Sequence, residues 1–237
     1  MALLYLVRHG ETDWNRENRW QGHNDRPLSA LGRSQAAAAA RRLAGERLTQ
    51  VYSSDLKRAW ETAQIIAEAC GLHARADHAL REVDVGNWAG LTRAEAKERF
   101  PEAYARRRAG STGWEGGETY EQMGGRVRAY VTRLLDGTVG SERIALSCHS
   151  GVIRILVAHA VGIGPADRRR IGGHEHGALS VLRVRKGKWS LLVYNDVCHL
   201  HADHDSWTTS EGRKPHAAEQ GDRPPISRVL DRPGQDM

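Results

Sequence analysis

The chain has 237 residues, 40% of them hydrophobic, enough for one sizeable α/β core with a tail or for two small domains. No stretch approaches 18 apolar residues, and the short apolar run at the N-terminus is followed at once by Arg8 and His9, which argues against a membrane span and a signal peptide. The formal charge of +6 is scattered over helices and short clusters such as residues 106–108 and 168–170 without a recognition-helix, zinc-finger or RNP-like pattern, so the expected partner is an anionic small molecule and not nucleic acid.

Residues 3–7, LLYLV, are uncharged and β-rich, as in a strand covered on both faces, and Gly10 ends the run. Arg8 and His9 therefore stand at the carboxyl end of the first strand, where open α/β sheets hold their ligands. Arginine offers a rigid fork of donors for phosphate or carboxylate, and imidazole can act as base, acid, metal ligand or nucleophile. Residues 14–26 lack an apolar period and read as a loop over the strand's mouth. Ser29 is the expected N-cap of a helix whose body is the alanine-rich run 35–43. Residues 51–54 form a second short strand, and Asp55 is expected to cap a helix that ends at Ala69 before Gly71. This alternation is a βαβ rhythm.

Residues 80–90, LREVDVGNWAG, are glycine-punctuated and loop-like. Thr92-Arg93-Ala94-Glu95 has the form of a capping box and opens a helical stretch interrupted at Pro101. A second loop over 110–117 precedes a helical pattern over 119–135. Residues 144–147 form another strand, with a strongly apolar helix over 151–161 directly behind it. Residues 178–184 and 189–194, joined at Lys186-Gly187, read as an antiparallel hairpin. The expected fold class is α/β, a three-layer sandwich whose mixed, mostly parallel sheet carries helices on both faces, over residues 1–201. From about Ala202 the composition turns to Pro, Gly, His and charge, so 202–237 reads as a polar tail. Such a tail could pack on a neighbour, and a homodimer is left open.

Phosphoryl transfer needs a nucleophile, cations around three oxygens and a proton for the leaving group. RHGETDWN, residues 8–15, resembles the signature of the histidine phosphatase superfamily, the phosphoglycerate-mutase-like fold, in which that histidine is phosphorylated during turnover. Position alone puts Arg58 in the first turn of a helix, whose N-terminus favours an anion. Residues 53–63, SSDLKRAWETA, resemble the family's second segment, and the resemblance gives Arg58 as a clamp on the phosphoryl group. Cys148-His149-Ser150-Gly151 follows the strand over 144–147 and resembles the setting of the second catalytic histidine. Ser150 replaces the first glycine of the usual His-Gly-Gly and either offers a hydroxyl near the phosphate or tightens the turn.

Read by itself, Glu82 is a surface carboxylate that would pair with Arg81. LREVDVGNWAGLT, residues 80–92, resembles the family's proton-donor segment, which makes Glu82 the acid and Asp84 the fallback. A phosphate dianion beside a carboxyl, and burial, both favour its protonated form. Asn15, Gln21 and Gly22 resemble residues that help hold phosphate or substrate, together with Arg8, Arg58, His149 and Ser150. The implied mechanism is in-line attack by neutral His9, with Arg8, Arg58 and His149 neutralising oxygens and Glu82 protonating the leaving alkoxide. The same carboxylate then activates water against the phosphohistidine. No metal and no other cofactor is implied.

Mutases of the family carry an insertion after the acid segment that begins with an Arg-His-Tyr-Gly-like sequence. Here Val83-Asp84-Val85-Gly86-Asn87-Trp88 follows instead, and His9 and His149 lie only 140 positions apart, as in the shorter phosphatases. The expected activity is metal-independent hydrolysis of a small phosphorylated metabolite. One alternative is a cofactor-dependent phosphoglycerate mutase. Another is a cysteine-dependent phosphatase, because Cys148 and Arg154 fit the C-x5-R spacing of a phosphate-cradling loop. Val152 and Ile153, however, look like buried helix positions. A non-enzymatic phosphate-binding relative would have lost the nucleophile or the acid, and both are present.

Trp14, Trp20, Trp88 and Trp114 fall in expected loops, as anchors or as an apolar wall for a leaving group. His174-Glu175-His176 and residues 199–204 are histidine-rich, but H-x-H without further ligands does not specify a metal site. Cys70, Cys148 and Cys198 are isolated, odd in number and without C-x-x-C spacing, which points to a reducing cytoplasm and no structural zinc. The GHEHGALS and YNDVCHL segments resemble small actinobacterial-type phosphatases of the superfamily, including those acting on glucosyl-phosphoglycerate.

Overall fold

Six strands make one sheet: β1 (Ala2–Arg8), β2 (Gln50–Ser53), β3 (Ala74–Ala76), β4 (Glu142–Cys148), β5 (Leu179–Arg185) and β6 (Lys188–Asp196). The computed structural model describes residues 1–109, 113–137, 141–164, 167 and 170–200. The expected tail over 202–237 lies outside the described residues, as do parts of the 110–117 loop, the 168–170 cluster and the 199–204 run. The sheet order is β3-β2-β4-β1-β5-β6. The first four strands are mutually parallel and the last two antiparallel, so the mixed, mostly parallel sheet is as expected.

Register places the chemistry. Arg8 pairs with Cys148 across β1 and β4, and Ser53 pairs with Ser147 across β2 and β4. Three strands therefore end level at one edge of the sheet, and His9, Ser54 and His149 emerge there together. The His9 amide donates to the Cys148 carbonyl at 3.0 Å, and the Ser54 amide to the Ser147 carbonyl at 3.0 Å.

Side-chain alternation along β1 and β4 builds two cores. Leu3, Tyr5, Val7 and Ala145 face α2 (Ala30–Ala44) and α3 (Lys57–Ala69), against Ala39, Leu43, Ala63 and Ile66. Leu4, Leu6, Ile144 and Leu146 face the other way, against Met123 and Val127 of one helix and Val152 and Leu156 of another. Helices on both faces complete the three-layer sandwich.

The local signals at helix starts mostly hold. Ser29 accepts from the Gly32 amide at 3.0 Å, and Thr92–Glu95 is a capping box. Pro101 separates α4 (Arg93–Arg99) from α5 (Pro101–Arg108). The hairpin turn at Lys186-Gly187 has φ of 51° and 74°, the pair of positive values of a type I′ turn.

Three features differ from expectation. A Thr12–Asn15 capping box folds one helical turn, α1 (Asp13–Arg16), at the start of the covering loop. The edge strand β3 was not anticipated, because three residues are too few to display a period. Asp55 does not cap α3. Leu56 occupies the cap, the Lys57 amide donates to Asp25 at 2.6 Å, and Asp55 instead takes Arg81 through two bonds of 2.6 and 2.7 Å. A bidentate guanidinium satisfies a carboxylate better than one helix-terminal amide does. The remaining helices are α6 (Tyr120–Asp136) and α7 (Ser150–Ala160). Among the described residues no helix is long and apolar enough to cross a membrane.

Candidate active site

Both predicted histidines stand just past level strand ends, and their rings meet edge to face with centroids 5.2 Å apart. His9 is buried, with Nδ1 2.7 Å from its neighbour's carbonyl, Gly10 O. That contact requires hydrogen on Nδ1 and leaves the lone pair on Nε2. Burial, then the Arg58 charge, then His149 and Arg8, hold the His9 ring well below its usual pKa. It is neutral at neutral pH, which is the nucleophilic form. His149 is driven down the same way, by burial and then by Arg58 and Arg8.

Two arginines flank this pair. Arg58, buried in the first turn of α3, donates through Nη1 to the Asn24 carbonyl and through Nη2 to the Gly22 carbonyl, both at 2.8 Å. Gly22 has φ of +50°, and a Cβ there would come within 2.7 Å of the Val85 amide nitrogen, so only glycine lets the covering loop turn here. Arg8 donates through Nη1 to the His174 carbonyl, and its Nη2 lies 2.6 Å from His176 Nε2. Burial pushes both guanidiniums down, to about 10, still cationic at neutral pH. The Nε atoms of Arg8 and Arg58 and both ring nitrogens of His149 are buried with no partner among the described residues. Four such groups are costly, about 1–3 kcal/mol each when left unmet.

Glu82 reaches the same corner from its loop. One carboxylate oxygen accepts from the Gly151 amide at 3.0 Å, in the first turn of α7, and the other from the Val83 amide at 2.9 Å. Asp84 turns elsewhere: it accepts from the Gly86 amide at 2.9 Å and lies 3.9 Å from His23 Nδ1. The structure thus brings Glu82, not the fallback Asp84, against the helix that His149 caps.

The secondary candidates separate. Gln21 is buried, and its side-chain oxygen has no partner among the described residues. Ser150 is the first residue of α7, beside His149. The side-chain oxygen of Asn15 is occupied by the Thr12 amide and hydroxyl, and the Gly22 carbonyl holds Arg58, so both shape the covering loop.

Cys148 is fully buried at the end of β4, and burial pushes its thiol far up, away from the thiolate a nucleophile needs. A thiol held in this way does not suit the cysteine mechanism. Trp88 and Trp114 are buried in one aromatic cluster, with ring centroids of Trp114 4.8 Å from Trp20 and 5.3 Å from Trp88. These tryptophans anchor loops. His176, whose ring lies 5.7 Å from His9, has no site role in the sequence reading, where its H-x-H pair does not specify a metal. Arg126 was not singled out at all.

Residues 4–197 match the model of the histidine phosphatase superfamily, branch 1. The chain belongs to this superfamily. It is 41% identical over 205 residues to phosphoglycerate mutase-like protein 4 of Arabidopsis thaliana, covering 84% of this chain and 87% of that one. Glucosyl-3-phosphoglycerate phosphatase of Mycobacterium tuberculosis is 36% identical over 220 residues, covering 84% and 97%. A solved structure of mycobacterial glucosyl-3-phosphoglycerate phosphatase with VO3 matches at a TM-score of 0.76 and 35% identity, covering 81% of this chain and 98% of that one. Fold and family are as expected, and the relatives of this histidine phosphatase superfamily member include phosphatases named for a small phosphorylated metabolite.

Proposed function

We propose that hydrolysis runs through a phosphohistidine on His9, with Glu82 as proton donor and then as base. The observation that carries this reading is the ring of buried, unpartnered donors on Arg8, Arg58 and His149 around a neutral, buried His9. A phosphoryl group with three oxygens satisfies such donors where a neutral ligand would not. His9 Nε2 attacks phosphorus in line, the bond to the leaving oxygen breaks, and that oxygen takes the proton of Glu82. The carboxylate then accepts a proton from water as its oxygen attacks the phosphohistidine, which restores neutral His9 and protonated Glu82 and yields inorganic phosphate.

The substrate is a small phosphorylated metabolite in which phosphoglycerate derivatives rank first, because relatives include a glucosyl-3-phosphoglycerate phosphatase. Names of the mutase type among the relatives make isomerisation the second reading. We place the enzyme in the cytoplasm on its odd, isolated cysteines. The test is a screen of phosphorylated metabolites for phosphate release, with 3-phosphoglycerate isomerisation assayed alongside. Rapid quench should trap acid-labile, base-stable phosphate on His9. Isomerisation outrunning phosphate release would replace the hydrolase reading with the mutase.

A further inference from the structure

Glu82 is held by its main chain as well as by its carboxylate. Arg126, on α6, donates through Nη1 to the carbonyls of Ala79 at 2.9 Å and Arg81 at 2.8 Å, and through Nη2 to the carbonyl of Glu82 at 2.9 Å. Its Nε and the other Nη2 hydrogen grip the two oxygens of Glu118, each at 2.8 Å. All five donors of the guanidinium are spent in this way. Glu118 in turn ties down the far side of the acid, donating its amide to the Asp84 carbonyl at 2.9 Å and accepting from the Asp84 amide at 3.3 Å. His23, from the covering loop, adds Nε2 at 2.8 Å from the same Glu82 carbonyl.

An arginine serving only as an ion-pair partner needs only the carboxylate. Here three of the five donors go to carbonyls of a short helical turn over His78–Leu80 and the loop that follows it, and the side chains of the pair are 22% and 17% exposed. We propose that Arg126, braced by Glu118, is a positioning residue for the proton donor: it fixes the main chain over residues 79–84 so that the Glu82 carboxyl meets the leaving oxygen. Arg126 acts through Glu82 and stays out of contact with the reacting atoms. The inference rests on the reading of Glu82 as the acid.

A merely structural role would lower all activities alike, so the readout is a ratio. We would measure kcat/KM for 4-nitrophenyl phosphate, whose leaving group needs little protonation, and for glycerol 2-phosphate, whose alkoxide needs it. The ratio of the two is independent of the folded fraction. Glu82→Gln should depress the alkyl substrate relative to the aryl one by about a hundredfold, the low end for a general acid. Arg126→Lys, whose ammonium cannot span three carbonyls and a carboxylate, should depress it by about tenfold or more, as expected for displacement of a catalytic group by a fraction of an ångström. Glu118→Gln should move the ratio the same way and serves if Arg126→Lys accumulates poorly. In the Glu82→Gln background, Arg126→Lys should change the ratio no further. An unchanged ratio in Arg126→Lys or Glu118→Gln, with Glu82→Gln shifting it, overturns the positioning role alone. An unchanged ratio in Glu82→Gln overturns the assignment of the acid, and the positioning role with it.

Discussion

Replacing Gly151 by alanine tests the placement of the acid from the opposite side. The amide of Gly151 holds one Glu82 oxygen at 3.0 Å, and a Cβ on residue 151 would lie 2.1 Å from the other oxygen and 3.0 Å from the carboxyl carbon. Carbon–oxygen contacts begin near about 3.3 Å, so the carboxyl must retreat by about 1 Å and lose its amide. Misplacing a catalytic group by that much costs about a hundredfold in rate, or about 2.7 kcal/mol of barrier. Alanine also favours a helical backbone over glycine by about 0.5–1 kcal/mol. That gain offsets part of the steric cost, so the thermal midpoint should move little while turnover of alkyl phosphates collapses. The assay is steady-state hydrolysis of glycerol 2-phosphate beside a melting curve. Undiminished kcat/KM in Gly151→Ala would mean that the carboxyl is not needed where it sits.

His9→Ala should abolish hydrolysis of any phosphomonoester while Cys148→Ser retains most of it per folded molecule; the reverse result, read by phosphate release, would reinstate the thiol. Burial keeps His9, His149, His174 and His176 below the ordinary 6.5, to about 3 for His174. Below pH 6.5 the unfolded chain therefore binds up to four more protons than the folded one. Stability is full above that pH and falls as the pH drops toward the depressed folded values. Urea midpoints measured from pH 7.5 to 5 should decline steadily, and a flat profile would contradict neutral burial of these rings. Activity should persist in excess EDTA, because cationic Arg8 and Arg58 neutralise the phosphoryl oxygens and neutral His149 adds a hydrogen-bond donor; dependence on added divalent metal would move that task to an ion.

The residues proposed to carry the chemistry are legible where they sit at the ends of strands. An apolar run that stops at Arg8-His9 says where the sheet ends, and Cys148-His149 behind a second such run says it again. Glu82 was different. Beside Arg81 in a loop it has the pattern of a surface ion pair, and only the resemblance to a family segment raised it. In the structure Arg81 pairs with Asp55 instead, and Glu82 is left to the amides of Val83 and Gly151. His176 stayed unread for a reason of register. Antiparallel pairing of β1 with β5 continues into the bonds Gly177 amide to Arg8 carbonyl, 3.0 Å, and Arg8 amide to Ala178 carbonyl, 3.2 Å. That pairing, set by residues 170 positions away, carries His176 to the end of β1.

The case of Arg126 marks where pattern reading stops. A side chain that binds another side chain leaves a trace at both ends, a charge answered by a charge. Arg126 binds main-chain carbonyls, and every residue has one, so nothing in the identities of Ala79, Arg81 or Glu82 announces the contact. Its Glu118 partner does carry a charge, but the two are eight positions apart, off the i, i+4 spacing that marks pairs within a helix. What makes the contact possible is tertiary: the packing of α6 against the short helical turn over His78–Leu80, which brings a helix face to a segment with carbonyls to spare. Groups that perform the reaction must be of particular types at particular corners and so write themselves into the sequence. Groups that hold the performers need only a donor and a distance, and they become visible when the backbone does.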